Sequence, residues 1–168
     1  METVDLSKSE AIVTQTEVRK NSPERTVRKS ENMKAMEREA ARIRWLLAIN
    51  PNTPPPVLDQ LANDEATVLL ERIAENPKTH HYTLARLANH ADQQVRAAVA
   101  ENANSSIKTI WRLARDTSVD VRLRVAESYY VPVTVLRVLA MDENPYVQQR
   151  AQKTITRIVE EVNTLRRA

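Results

Sequence analysis

The stretch Val95-Arg96-Ala97-Ala98-Val99-Ala100-Glu101-Asn102 decides how this chain is read, because variants of it recur at a fixed interval. Ala48, Ala74, Ala100 and Ala126 follow one another at steps of 26 residues. The pairs Leu61-Ala62, Leu87-Ala88, Leu113-Ala114 and Leu139-Ala140 keep the same step, as do Leu58, Leu84, Ile110 and Leu136. The series Ile43, Leu69, Val95, Val121, Val147 and Leu47, Ile73, Val99, Val125 complete a unit written four times. Self-similarity at such a period is the mark of a stacked-repeat architecture.

Each unit reads as two short helices. Thr53, Thr79 and Ser105 carry hydroxyls suited to capping the start of the first helix, and Pro54 and Pro132 follow at a position where a missing N–H is harmless. The Leu58 and Leu61 classes point inward, and the Ala62 class allows close helix approach. Asp64, Asp92, Asp116 and Asp142 mark the turn into the second helix, whose inward positions are the Val95 and Val99 classes. That helix stops at Asn50, Asn76, Asn102 or Ser128. Asn tolerates the left-handed conformation that commonly ends a helix, and Pro51 and Pro77 forbid continuation.

Composition narrows the chemistry. The 168 residues contain no cysteine and no glycine. Thiolate-bound metals and disulfides are therefore excluded. So are the glycine-dependent phosphate loops, dinucleotide fingerprints and nucleophile elbows in their usual form. No apolar run reaches the roughly 18 residues of a membrane span, and the first ten residues lack the shape of a secretory signal; a cytoplasmic location is expected. The net charge is +3, but it is uneven. Residues 1–44 carry ten basic and eight acidic groups, residues 45–147 ten and twelve, and residues 148–168 five and two. The excess lies at the ends, which makes the repeats as a whole a poor phosphate-binding surface.

Residues 1–31 are polar and without period, and read as a disordered tail, with 21–30 as a possible docking or phosphorylation segment. Residues 32–168 form the repeat domain. A cap helix is expected over 32–49, with Met33, Met36, Ala40, Ile43 and Leu47 on its inward face. The repeats occupy 50–147. A C-terminal cap helix over 145–166 carries the stripe Val147, Ala151, Ile155, Ile158, Val162 and Leu165. The stripe serves as terminal cover of a monomer, with a dimer seam as the alternative.

The units 95–102 and 48–62 resemble the leucine-rich repeat variant family, a bacterial relative of the HEAT-like α-solenoids, over about residues 43–150. The resemblance implies an all-α, right-handed α-solenoid of about four 26-residue two-helix repeats, in which an α-helix alternates with a shorter, partly 3₁₀ helix. The iron–sulfur cluster of a cysteine-bearing family member is not implied, because this chain has no cysteine.

Positions held in every copy are explained by stacking, so candidates for function are those where one copy departs. Trp111 stands where the other copies have Asp59, Ala85 and Arg137. Tyr129 and Tyr130 replace Pro51-Asn52, Pro77-Lys78 and Ala103-Asn104. Tyr82 replaces Pro56, Lys108 and Thr134. Aromatic residues and Arg are the groups most enriched in binding hot spots; the alternative is that they fill gaps and cover turns. Arg96 and Arg122 share a register with Arg44, broken by Leu70. Arg124 shares another with Arg72 and Arg150, broken by Ala98. These registers read as ion-pair ladders with Glu75, Glu101 and Glu127, or as a track for an anionic partner. His80, His81 and His90 show no metal-binding i, i+4 pair.

The expected function is a non-enzymatic scaffold or adaptor that binds another protein, without cofactor or metal. The candidate surface is Trp111, Tyr82, Tyr129, Tyr130, Arg96, Arg122 and Arg124. The alternative is a nucleic-acid-binding, HEAT-like protein, including a DNA-repair glycosylase for which Asp116 and Trp111 are the one available pair.

Overall fold

The computed structural model describes residues 23–167, and among them there are helices and turns but no strand. In chain order the helices are α1 (Pro23–Ile49), α2 (Pro55–Leu61), α3 (Thr67–Glu75), α4 (His81–Leu87), α5 (Gln93–Glu101), α6 (Ile107–Leu113), α7 (Val119–Glu127), α8 (Val133–Leu139) and α9 (Pro145–Arg167). The chain divides into two compact units, one ending at Ile43 and the other beginning at Arg44.

The second unit holds the repeats, a seven-residue helix followed by a nine-residue helix in the first three and by the 23-residue α9 in the fourth. The longer helices pack in a row, α3 on α5, α5 on α7 and α7 on α9, while α2 packs on α3 and each of α4, α6 and α8 packs on the long helices before and after it. The inward classes behave as their period requires. Leu58, Leu84, Ile110 and Leu136 are buried, as are Ile73, Val99 and Val125 and the alanines Ala48, Ala74, Ala100 and Ala126. The short helices are α-helical over all seven residues rather than partly 3₁₀. The Ala88, Ala114 and Ala140 amides extend the α pattern by donating to Leu84, Ile110 and Leu136 at 2.8–2.9 Å.

The helix ends differ from expectation in two ways. Thr53 and Ser105 do not cap the helix that follows them. Their hydroxyls donate backward to the carbonyls of Leu47 and Val99, at 2.6 and 2.7 Å, and Thr79 does the same to Ile73. The caps are one residue later, at Pro54, His80, Ser106 and Pro132. No described residue has a positive φ, so the asparagines are not left-handed. Asn76 and Asn102 are extended, with ψ of 126° and 121°.

Their side chains form a ladder instead. The Asn102 amide donates to the carbonyls of Ala74 and Asn76, at 2.7 and 2.9 Å. One repeat earlier the Asn76 amide donates to Ala48 and Asn50 at the same two distances. The other side-chain atom is satisfied as well: Asn102 Oδ1 accepts from the Asn104 amide and Asn76 Oδ1 from the Lys78 amide, both at 2.9 Å. A helix leaves its last carbonyls without intrahelical donors; here the next repeat supplies them. Ser128 is too short for that reach and makes no such bond, and Thr154 restores the contact by donating to Ala126 at 2.7 Å.

Residues 1–22 of the expected tail lie outside the described residues. The remainder of it is not tail, because α1 begins at Pro23 rather than at residue 32. Pro suits a first helical position, and the Glu, Arg and Lys residues that made this segment look like a solvated tail are good helix formers. Met33, Met36 and Ile43, expected to face inward, are exposed, and so is Leu47, whereas Ala48 is buried. In the repeats the equivalent positions are covered in part by a preceding short helix, and none precedes α1 among the described residues. Of the α9 stripe, Val147 and Ala151 are buried and Ile155 and Ile158 are half-buried, while Val162 and Leu165 are exposed. The cover therefore ends about halfway along the helix.

Replacing Asn102 by Ala strands the Ala74 carbonyl and the Asn104 amide, while the Asn76 carbonyl keeps its bond from the Thr79 amide, and denaturant unfolding is expected to register a loss of about 1–3 kcal/mol. Asn89→Ala, which removes only a bond to Ala85 within one exposed turn, is expected to cost a small fraction of that.

Candidate functional site

The arginines of the nine-residue helices are engaged. The Arg96 guanidinium forms a two-pronged pair with Asp116, both bonds 2.8 Å, and donates to the carbonyls of His90 and Ala91. Arg122 repeats this with Asp142, at 2.8 and 3.0 Å, and donates to Asp116 O. Arg44 approaches Asp64 at 3.4 Å. The Arg122 and Asp142 side chains are each 8% exposed, so the pair is internal. Arg124 joins Glu101 at 2.7 Å and Arg150 joins Glu127 at 2.9 Å along the exposed edge of the row. Arg96, Arg122 and Arg124 thus tie neighbouring repeats to one another.

The break in the first ladder is a double one. Where the register has Leu70 in place of Arg, the position of Asp64, Asp116 and Asp142 is taken by His90. Leu70 is buried, and His90 Nδ1 accepts the Asp92 amide at 3.0 Å, as Asp116 Oδ1 and Asp142 Oδ1 accept the amides of Ser118 and Asn144 at 2.9 Å. Cation and anion have been removed together while the turn is kept. The turn aspartate Asp92 belongs to the next position and caps α5.

Asp116 is not a poised base. Burial pushes its carboxyl toward neutrality as the largest single influence, but the Arg96 bond, the Ser118 amide and the positive charge of Arg96 and Arg112 outweigh it, and the pKa lies below the ordinary value. Asp142 is lowered in the same way, burial opposing and Arg122 with the Asn144 amide prevailing. A glycosylase built on Asp116 and Trp111 would need a carboxylate free to turn toward substrate, and this one is held on both oxygens.

The short helices carry the opposite pattern. Among α4, α6 and α8 there is no carboxylate at all. Arg86 reaches back one repeat to Asp59 Oδ1 at 3.2 Å and to Asn63 Oδ1 at 2.9 Å. Arg112 holds the equivalent place in the next repeat, where Asp59 has become Ala85. Its acceptor is missing. Lys108, Arg112, Arg115 and Arg137 are exposed, and none forms an ion pair among the described residues. Arg112 and Arg115 line a shallow depression of about 340 Å³ between the turn after α4 and the turn after α6.

Trp111 lies at the centre of this group. One side of it packs on the core, and the Arg115 guanidinium sits over its ring at 5.1 Å. Tyr82 occupies the Lys108 position one repeat earlier and is 71% exposed. Ile107, Val138 and Met141 add exposed apolar side chains on α6, on α8 and just after it. The structure therefore groups Trp111 and Tyr82 on the short-helix row and separates them from the other two tyrosines. Tyr129 lies under Arg157, whose guanidinium is 4.5 Å from the ring, in a cleft against α9 that also includes Lys153. Tyr130 is exposed beside it. Sequence reasoning missed Lys108, Arg112, Arg115 and Arg137. The available signal was the loss at Ala85 of the acid that Arg86 uses.

Comparison with family models, with curated proteins and with solved structures finds no match to this chain.

Breaking the buried pair with Arg122→Leu leaves Asp142 without its partner and is expected to cost about 3–5 kcal/mol in denaturant unfolding. Adding Asp142→His, which copies the Leu70 and His90 arrangement, is expected to recover most of that loss. The wild-type pair also has an acid signature. Because the folded pKa of Asp142 is depressed, its contribution is full above the unfolded value near 3.8 and fades as pH falls through the folded one. The thermal midpoint of the double variant is expected to fall less steeply than wild type in that range.

Proposed function

We propose that this chain is a non-enzymatic repeat scaffold of the α-solenoid kind, and that it binds another protein through the exposed row of its short helices. The observation that carries this reading is the division of charge. Arginines on the long helices hold the repeats to one another, whereas Lys108, Arg112, Arg115 and Arg137 stand free beside Trp111, Tyr82, Val138 and Met141. Internal stability does not call for a run of unpaired cations among exposed apolar groups, and Trp, Tyr and Arg are the residues most enriched at the centres of protein interfaces. The 26-residue period and the row of long helices support the solenoid and the likeness to leucine-rich repeat variant and HEAT-like arrays.

The test is affinity capture from the native cell extract, with and without nuclease, using wild type and the charge-reversed variant Lys108→Glu/Arg112→Glu. Both positions are exposed, so the variant is expected to melt as wild type does. The expected result is a partner protein that survives nuclease and is lost with the variant. Recovery of nucleic acid alone, abolished by nuclease, would contradict the reading and favour the nucleic-acid-binding alternative.

A further inference from the structure

The chemistry of the partner is written in the same surface, and this inference rests on the reading above. We infer that the short-helix row takes an acidic amphipathic polypeptide segment, one in which Asp or Glu alternates with large apolar side chains. Lys108, Trp111 and Arg112 come from α6, Arg115 from the turn after it and Arg137 from α8, so the cations extend over two successive repeats rather than around one point. That layout suits an extended run of carboxylates better than a single small anion. The carboxylates nearest to it do not oppose the charge: Asp116 and Asp142 are held by Arg96 and Arg122, and Asp59 by Arg86. Glu143, though exposed, also pairs with Arg122, at 3.3 Å.

Charge alone does not hold a partner here, since ion pairs at exposed positions are individually weak. The row also presents Ile107, Val138 and Met141, which are 54%, 43% and 85% exposed. Aliphatic and thioether groups between cations find contacts on an apolar peptide side chain, and Met packs adaptably against such groups. A nucleic-acid strand offers phosphates to the cations but no aliphatic surface to these three residues. Trp111 is partly buried and already covered by Arg115, so it serves better as a fixed wall than as a platform on which a base stacks.

The experiment is a fluorescence-anisotropy titration of the full chain with a labelled synthetic peptide alternating Glu with Leu and Phe. Two control peptides replace either every Glu by Gln or every Leu and Phe by Ser, and a labelled single-stranded oligonucleotide completes the set. The peptide is expected to bind, to weaken by roughly tenfold or more in each control, and to lose binding with Lys108→Glu/Arg112→Glu. It is expected to be indifferent to Lys153→Glu in the cleft near Tyr129. Equal binding of the Gln peptide, or tighter binding of the oligonucleotide, overturns the inference. So does failure of the acidic peptide when the charge-reversed variant still loses its native protein partner; the face then stands and its chemistry does not. Retention of that native partner by the variant overturns the face itself, and the inference with it.

Discussion

The amides of Asn76 and Asn102, set under the end of the preceding long helix, are the constraint on which the rest of the array depends. Without glycine the chain has no easy entry to the left-handed conformation in which helices commonly finish. Each long helix instead leaves in extended backbone, and its last carbonyls need donors from elsewhere. For α1 and α3 the Asn of the next repeat provides two, while its own oxygen closes the turn that follows, and for α7 Thr154 provides one. A local problem of helix termination thereby fixes how far apart and in what register neighbouring repeats stand. The buried Val and Ala classes pack to that spacing.

Once the spacing is set, the side chains around it sort themselves by reach. Arg96 and Arg122 lie where a guanidinium meets an aspartate twenty residues ahead, and Arg124 and Arg150 where one meets a glutamate in the repeat before. On the short helices the same backward reach is available, and Arg86 uses it to meet Asp59. Arg112 has the reach but no acid at its end, because the residue there is Ala85. The free cations of the short-helix row follow from that substitution and from the absence of Asp and Glu on three helices.

Much of this was legible in the sequence, because a repeat acts as its own control. The period gave the inward positions, the two helices per unit and the break at Leu70, whereas the matching loss of the acid at His90 was hidden by Asp92 standing in the same turn. Less legible was what a conserved-looking residue does when several conformations satisfy the same pattern. Asn at a helix end reads equally as a left-handed cap and as a donor across repeats, and only the absence of positive φ separates the two. A hydroxyl before a helix reads as a cap for that helix, yet Thr53 and Ser105 look back to the one before. For the site, departures of large residues such as Trp111 and Tyr82 were visible, whereas the informative change at Ala85 was a deletion. Missing acceptors show only when the geometry of an intact pair, here Arg86 with Asp59, is known.

The division between engaged and free guanidinium groups is the claim on which the functional reading stands, and side-chain reactivity tests it directly. Brief treatment of the native protein with an arginine-selective dicarbonyl, followed by peptide mass mapping, reads each site separately. Arg112, Arg115 and Arg137 are expected to be modified first, with Arg96 and Arg122 protected until the protein unfolds. Modification of Arg96 and Arg122 at the rate of Arg112 would contradict the account.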